Sequence, residues 1–572
     1  MACILICVAF RHLPNIFEYM EQSLNLIFER SFKENWDNPA LSDYKGVTLY
    51  YRDLARKIEK LHIVFEICGL KKGDKVSICS KNQANWGVVL IAALTYGAVA
   101  VPILHEFKPG NIRHILSHSD SKIFFVGEQV WEQMNGTEIS ELEAIIQISD
   151  FSVLYARDPL VYDTREHLNE LFGKKYPKNF RPEHINYHQD TPDELALINY
   201  TSGTTGFSKG VMLPYRSLVS NIMFGWEVHP ELNNTSNVVS MLPVAHMYGM
   251  MFEFLFEMSV GAHVYFLTKL PSPKIIMDAF AEVKPDIIIA VPLIIEKIYK
   301  IQLQPLINKT AMRVLLRLPV VDQKIGKKIQ QELVKAFGGK FQEVIIGGAA
   351  FNKEAEAFFK RIGFPFTVGY GMTECGPIIS YAPWNKNRLY SCGKAVPRME
   401  IKIDSEDPQN IPGEILCRGM NVMLGYYKNQ KATDEVLLKD GWLRTGDIGV
   451  MDSDGFLYIR GRSKSVILGP NGQNIYPEEI ESIFNNMQYV VESLVIEEKG
   501  SLTLLVYPDF EQAEKDGLSQ VDLERKMEEN RILLNEELPS YSKIQQIKIF
   551  PEEFEKTPKK SIKRFLYQRV QE

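Results

Sequence analysis

Short β-branched runs alternate with helical stretches through the first two-thirds of the chain. Lys75-Val-Ser-Ile-Cys79 reads as a strand, Asn85–Leu94 as a helix apolar on every side, and Ala98-Val-Ala-Val-Pro-Ile103 as the next strand. The runs Lys122–Val126, His263–Leu267, Asp286–Val291 and Glu343–Ile346 repeat the pattern. Strands that are apolar throughout and separated by helices predict parallel sheets covered on both faces. Right-handed crossovers are the default connection between them.

The pattern changes after about residue 398. Glu400–Asp404, Gly413–Arg418 and Gly455–Arg460 alternate with period two, which predicts antiparallel strands of a smaller sheet. The polar stretch Gly461-Arg-Ser-Lys-Ser465 follows, and the main domain boundary is expected there, separating 1–461 from 462–572. Beyond Val466 the pattern is α+β, with strands near Ser493–Glu497, Leu502–Tyr507 and Gln546–Phe550 and a charged helix near Asp522–Glu536. The expected class is therefore α/β. A large N-terminal domain of doubly wound sheets plus a small antiparallel sheet precedes a small, mobile α+β C-terminal domain.

With 572 residues, 45% apolar and 24% charged, the chain has the composition of an ordinary globular protein with a sizeable core. A net charge of −6 gives no electrostatic case for nucleic acid. The seven cysteines are scattered without a C-x-x-C pair, which points to reduced thiols in a cytoplasmic setting and away from a disulfide frame or zinc site. Met1–Phe10 is apolar but short and lacks a basic start, so it reads as a loose extension or an upstream start. No run reaches the roughly 20 apolar residues of a transmembrane helix. Peripheral contact with the inner face of a membrane stays open.

The densest chemistry lies in Thr201-Ser-Gly-Thr-Thr-Gly-Phe-Ser-Lys-Gly210, directly after the apolar run Leu195–Tyr200. Glycines let backbone amides approach an anion, hydroxyls add donors and Lys209 adds charge, which together make a phosphate cradle. The spacing is not that of a Walker A loop. Gly347-Gly-Ala-Ala350 follows the strand Glu343–Ile346, where open α/β sheets bind ligands; a plain turn would look the same. In Val368-Gly-Tyr-Gly-Met-Thr-Glu374, Tyr370 between glycines offers a ring for a base, Thr373 a hydroxyl, and Glu374 a hard oxygen suited to Mg2+; a tight turn with a surface carboxylate fits equally. Gly441-Trp-Leu-Arg-Thr-Gly-Asp447 ends in a carboxylate able to accept from ribose hydroxyls, or in an Asx turn. Arg460-Gly-Arg-Ser-Lys464 reads as a hinge.

The order T-S-G-T-T-G-x-x-K-G, G-G-A, G-Y-G-M-T-E, G-W-x-x-T-G-D, G-R-x-K resembles the AMP-forming acyl-CoA synthetase, or adenylate-forming, superfamily. Asn471-Gly-Gln-Asn-Ile-Tyr-Pro-Glu-Glu-Ile-Glu481 matches a further motif of that family, so the likeness spans nearly the whole chain. In general character it is most similar to bacterial long-chain fatty acid–CoA ligases. The resemblance implies an acid activated by ATP to an acyl-adenylate with release of pyrophosphate, then transferred to coenzyme A with release of AMP. It implies that Thr201, Ser202, Gly203, Thr204, Thr205, Gly206 and Lys209 embrace the β- and γ-phosphates. Glu374 would ligate Mg2+, and Thr373, beside Gly371, would touch the α-phosphate. Tyr370 would cover adenine with Gly347, Gly348 and Ala349, and Asp447 with Arg462 would hold the ribose. His246 would lie near the acyl group, and Lys464 would be the pivot of the C-terminal domain. Met247, Tyr248, Met250, Met251, Phe252, Phe254, Leu255 and Phe256 either wall an acyl pocket or pack the core.

The chain departs from the family pattern near its end. In Lys556-Thr-Pro-Lys-Lys-Ser-Ile-Lys-Arg564, aligned on Ile562 and Arg564, the adenylation lysine is replaced by Ser561. Lys560 is the preferred substitute, with Lys559 and Lys563 as alternatives; impaired adenylation in a nucleotide-binding homologue is the competing outcome. Ser208 and Ser465 also replace residues common in the family, without removing a proposed ligand. A ligase for another acid class, or one passing its acyl-AMP to a carrier protein, would share these motifs.

Overall fold

The computed structural model describes residues 23–135, 139, 141–201, 209–269, 271–299, 319–468, 473–498, 500–557 and 562–567. Its largest sheet has eight strands: β1 (Lys75–Cys79), β2 (Val99–Pro102), β3 (Ser121–Val126), β4 (Ala144–Gln147), β5 (Val153–Ala156), β6 (Leu195–Thr201), β7 (Lys209–Pro214) and β8 (Gly425–Tyr426). They lie in the order β8-β7-β6-β2-β1-β3-β4-β5. The centre is parallel, as the uniformly apolar strands require. Both flanks turn antiparallel: β5 on β4, β7 on β6, and β8 on β7.

The helix α1 (Ala84–Tyr96) shows why these units form. Trp86, Val88, Val89, Leu90, Ile91 and Leu94 are fully buried in it. Each such side chain contributes about 1.5–3 kcal/mol relative to exposure. Gln83 makes no side-chain cap, and Asp43 from a neighbouring strand accepts from the Ala84 N–H at 2.7 Å instead. Gly97, at φ 83°, closes the C-terminus in the left-handed region.

A four-stranded sheet brings Pro39–Asp43 beside His263–Phe266, with Thr48–Tyr50 and Asn237–Ser240 at its edges. Ile288–Ala290, Val344–Ile346 and Phe366–Val368 form a parallel three-stranded sheet. The period-two segments are antiparallel strands, Met399–Asp404, Gly413–Gly419, Leu443–Met451 and Leu457–Arg462. One continuous apolar core runs through these sheets from Leu24 to Leu457.

A separate core unites residues from Ile467 to Ile544. Its sheet is Val490–Glu498, Ser501–Pro508 and Gln546–Ile549, packed with α2 (Pro477–Phe484) and the helix Gln520–Glu537. The chain is thus α/β, with a large N-terminal part and a smaller α+β C-terminal part. Among the described residues, no helix is long and apolar enough to cross a membrane. The buried Cys375 and Cys417 sulfurs lie 3.6 Å apart.

Candidate active site

The strongest sequence motif sits on a hairpin. Thr201 ends β6 and pairs with Lys209, which begins β7. The turn between them, with Ser202, Gly203, Thr204, Thr205 and Gly206, lies outside the described residues. The flanks are well set. The antiparallel return of β7 is the main departure from the expected parallel pattern, because the seven residues 202–208 are too few for a crossover helix.

On the open side of this hairpin lies β8, Gly425 opposite Met212 and Tyr426 opposite Val211. The Lys209 ammonium lies 4.7 Å from the centroid of the Tyr426 ring. The hydroxyl of that ring donates to Glu374 Oε1 at 2.9 Å. The Met423 N–H donates to the Glu374 carbonyl at 2.9 Å, which ties the Gly-Tyr-Gly-Met-Thr-Glu segment to the same sheet edge. Thr373 and Glu374 open a single 3-10 turn and are both buried. Tyr426 escaped the sequence reading; its only signal is a glycine before paired tyrosines, which periodicity does not weigh.

Tyr370 belongs to the same segment. Its ring is buried, and its hydroxyl donates to Asp447 Oδ2 at 2.6 Å. The other Asp447 oxygen meets Arg462 Nε at 2.9 Å. Burial raises the Asp447 pKa from its ordinary value, opposed first by the Arg462 charge and then by the Tyr370 hydroxyl. Tyr370 itself is pushed well up by burial and the adjacent Asp447. Asp447 and Arg462 are register partners on neighbouring antiparallel strands, so backbone pairing brings them together.

Gly347, Gly348 and Ala349 follow the strand Val344–Ile346. Gly347 is buried, and a Cβ there would lie 3.2 Å from the Tyr248 ring, whose hydroxyl donates to the Ile345 carbonyl at 3.0 Å. Gly371 is needed more strictly, because any side chain would collide with the Pro377 carbonyl.

His246 caps the short helix Met247–Met250, its Nδ1 accepting from the Tyr248 N–H at 3.3 Å. The loop before it is held on three sides. Asn82 takes the Leu242 carbonyl at 2.6 Å and the Val244 N–H at 3.0 Å, and Asn199 of β6 donates to the Ala245 carbonyl at 2.9 Å. The fully buried Glu253 accepts from Leu242 N–H at 3.0 Å and Met241 N–H at 3.2 Å. The apolar run past His246 is buried throughout. Phe254 packs on Trp86 and Phe266 as core, while Tyr248 and Phe252 turn toward Gly347 and Phe224.

Lys464 is exposed in the single turn Ser463–Ser465 between the two cores. Acidic residues of the motif on α2 pair with arginines on either side of this turn. Glu479 pairs with Arg460 at 3.2 Å, and Arg564 pairs with Glu481 and with Glu478 at 3.6 Å. Lys560, Lys559 and Ser561 lie outside the described residues. Lys563 pairs with Glu555 at 2.6 Å, and Lys556 with Glu492 at 2.9 Å.

A cavity of about 370 Å3 opens at the carboxyl ends of β1 and β3, lined by Ser80, Lys81, His105, Glu106, Gly127 and Glu128. Here the connections leave in opposite directions, β1 toward β2 and β3 toward β4, which makes the crevice where open α/β sheets bind ligands.

These segments match known proteins over most of the chain. A family model described as AMP-binding enzyme matches residues 28–427. A long-chain-fatty-acid–CoA ligase of Escherichia coli O157:H7 is 29% identical over 496 residues, covering 81% of this chain and 80% of that protein. The long-chain-fatty-acid–CoA ligase ACSBG1 of Bos taurus is 30% identical over 475 residues, covering 77% of this chain and 62% of its own. Among solved structures, ATP-bound MatB from Rhodopseudomonas palustris superposes with a TM-score of 0.74 at 21% identity, covering 96% of this chain and 99% of that one. The anthranilate CoA ligase AuaEII in complex with anthranoyl-AMP gives 0.76 at 19% identity, covering 96% and 97%. With the family model spanning well over half of its length, the chain belongs to the AMP-binding, adenylate-forming enzyme family.

Proposed function

We propose that this enzyme joins a long-chain fatty acid to coenzyme A through an acyl-adenylate, using ATP and releasing pyrophosphate and then AMP. The observation that carries the reading is the convergence on the Tyr370–Glu374 segment of Lys209 and Tyr426 from the edge of the large sheet and of the Asp447–Arg462 pair from the antiparallel sheet. The acid class follows the names of the curated relatives and the apolar helix that begins at Met247.

The first step is a problem of charge: a carboxylate attacks a phosphorus already ringed by anionic oxygens. Donors fixed in advance where charge develops lower that barrier. In this reading the Thr201–Gly206 turn and Lys209 hold the β- and γ-phosphates and Thr373 the α-phosphate. Tyr370 covers adenine beside Gly347, Gly348 and Ala349. Asp447, ionised and steadied by Arg462, accepts from the ribose hydroxyls. His246, oriented by its capping bond, stands beside the acyl carboxylate, and Lys560 meets its oxygen. Glu374 suits Mg2+: it is buried and has no cationic side-chain partner among the described residues. No cluster of three ligating side chains accompanies it there, and Mg2+ is commonly held by one or two carboxylates together with substrate phosphates and water. When bound, the ion would neutralise phosphate charge.

The second step needs a place for the thiol substrate. The cavity at β1 and β3 is offered for its nucleotide end, with Lys81 available to phosphate. A boundary at Gly461/Arg462 and a pivot at Lys464 would let the C-terminal part exchange the face it presents between steps, with Ser465–Pro477 at the second face.

The test is a panel of carboxylic acids of differing chain length and class with ATP, Mg2+ and coenzyme A. Acyl-CoA formed from fatty acids, with matching AMP, is the expected result. Acylation confined to aryl, acetyl or dicarboxylic acids would replace the acid class, and the absence of any acylated coenzyme A would sink the ligase reading. Ser561 favours one rival, a homologue with impaired adenylation. Acid-dependent exchange of labelled pyrophosphate into ATP at ordinary turnover excludes it.

A further inference from the structure

Lys209 and Glu374 carry opposite charges and reach toward the same aromatic ring, yet they form no ion pair. Tyr426 stands between them. Its ring face takes the ammonium at 4.7 Å and its hydroxyl takes the carboxylate at 2.9 Å. The ring is 7% exposed, so the contacts lie in poorly solvated surroundings.

The ring cannot drift. Tyr426 pairs with Val211 on the strand that carries Lys209. The bonds Leu424 N–H to Met212 carbonyl at 2.9 Å and Tyr427 N–H to Gly210 carbonyl at 2.7 Å extend the pairing on both sides. The Tyr426 N–H donates to Thr433 Oγ1 at 2.9 Å. The backbone of Glu374 is held to the same segment through Met423.

Opposite charges in a low-dielectric setting attract strongly. Without a spacer, a lysine on its flexible stem would collapse onto the buried carboxylate and each would cancel the other. A cation over a ring face is held without consuming its N–H donors. A carboxylate that accepts one phenol hydrogen bond keeps most of its lone pairs. We propose that Tyr426 is a positioning residue that keeps Lys209 and Glu374 apart, so that the lysine stays available to the triphosphate and the carboxylate to its metal ion. This rests on the nucleotide reading given above.

The test measures equilibrium binding of ATP to the full-length protein by calorimetry, with Mg2+ and with EDTA, for Tyr426→Phe, Tyr426→Leu, Glu374→Gln and the Leu/Gln double variant. The Phe variant keeps the ring under Lys209 and loses the bond to Glu374. Its metal-free ATP affinity should match the wild type, while the Mg2+ concentration that half-saturates the metal-dependent gain rises about fivefold to tenfold. The Leu variant frees Lys209 to pair with Glu374, so metal-free affinity should fall by about tenfold. Adding Glu374→Gln to the Leu variant should restore it. A structural role for the ring alone would leave that rescue absent, and absence of rescue overturns the proposal. Unchanged Mg2+ dependence in the Phe variant overturns it too, and decides the matter if the Leu variants do not fold. Wild-type protein that binds no ATP would instead remove the nucleotide reading and this inference with it.

Discussion

The Tyr370 hydroxyl donates to Asp447 at 2.6 Å across segments far apart in the chain. With Arg462 on the opposite oxygen at 2.9 Å, the carboxylate is held from both sides. Burial favours the protonated acid; the guanidinium and the phenol favour the anion.

That balance sets a pH dependence. In the proposed reading Asp447 must be ionised to accept from two ribose hydroxyls. Arg462→Ala removes the largest influence that lowers its pKa, so the pKa must rise. The variant is expected to lose kcat/KM for ATP more severely at pH 6 than at pH 8, and its acidic limb should move to higher pH. A profile parallel to that of the wild type would separate Asp447 from nucleotide binding.

Gly371 carries a steric prediction. Its neighbour across the Tyr370–Ser380 hairpin is the Pro377 carbonyl, a backbone atom that cannot swing aside. Gly371→Ala must therefore shift the segment that holds both Tyr370 and Glu374. A loss of about 2–4 kcal/mol in stability is expected, in the range of severe core defects. Denaturant unfolding and ATP titration should fail together. A variant that unfolds like the wild type and binds ATP normally would show that the segment yields.

How much of this was legible in the sequence depends on how local each signal is. The runs Lys75–Cys79 and Lys122–Val126 announce parallel strands because burial on both faces leaves them largely apolar. Glu400–Asp404 and Gly413–Arg418 announce their antiparallel sheet by alternation. The return of β7 along β6 was hidden, since Val211-Met-Leu213 reads the same in either direction. Tyr426 was hidden for another reason: its meaning arises only when a two-residue strand joins the edge that carries Lys209. The holders of the His246 loop, Asn82, Asn199 and Glu253, are likewise single polar residues inside apolar stretches, and their roles are fixed by partners far along the chain.

Glu356 offers a test of the fold apart from the site. It is buried on the helix Lys353–Arg361 and accepts from the Tyr390 N–H at 2.5 Å. Burial pushes its pKa up to about 7, with that N–H opposing. The native state therefore binds the proton more tightly than the unfolded chain, whose value is near 4.5. Its contribution is fully present below pH 4.5 and lost as pH rises to about 7. Glu356→Gln mimics the protonated form and keeps an acceptor for Tyr390. It should match the wild type in stability near pH 4 and exceed it by up to about 3 kcal/mol at pH 8. Unfolding midpoints across that range read the difference directly; a constant gap would mean the carboxyl titrates normally.

The tail lysines can be separated by what already holds them. Lys563 is paired with Glu555 at 2.6 Å, Lys556 with Glu492 and Glu553, and Arg564 with α2 through Glu481. These pairs bind the described tail to its own C-terminal unit and leave Lys563 poorly suited to reach a substrate carboxylate. Lys560→Ala is accordingly expected to depress adenylate formation by about 10²–10³, the usual effect of losing one preorganised donor. Thioester formation from supplied acyl-AMP should be spared, because that step needs no charge at the attacking carboxylate. Lys563→Ala should change adenylation by less than about threefold, as expected for an exposed pair. If the two variants exchange these behaviours, the catalytic lysine is Lys563 and its bond to Glu555 must break in the working enzyme.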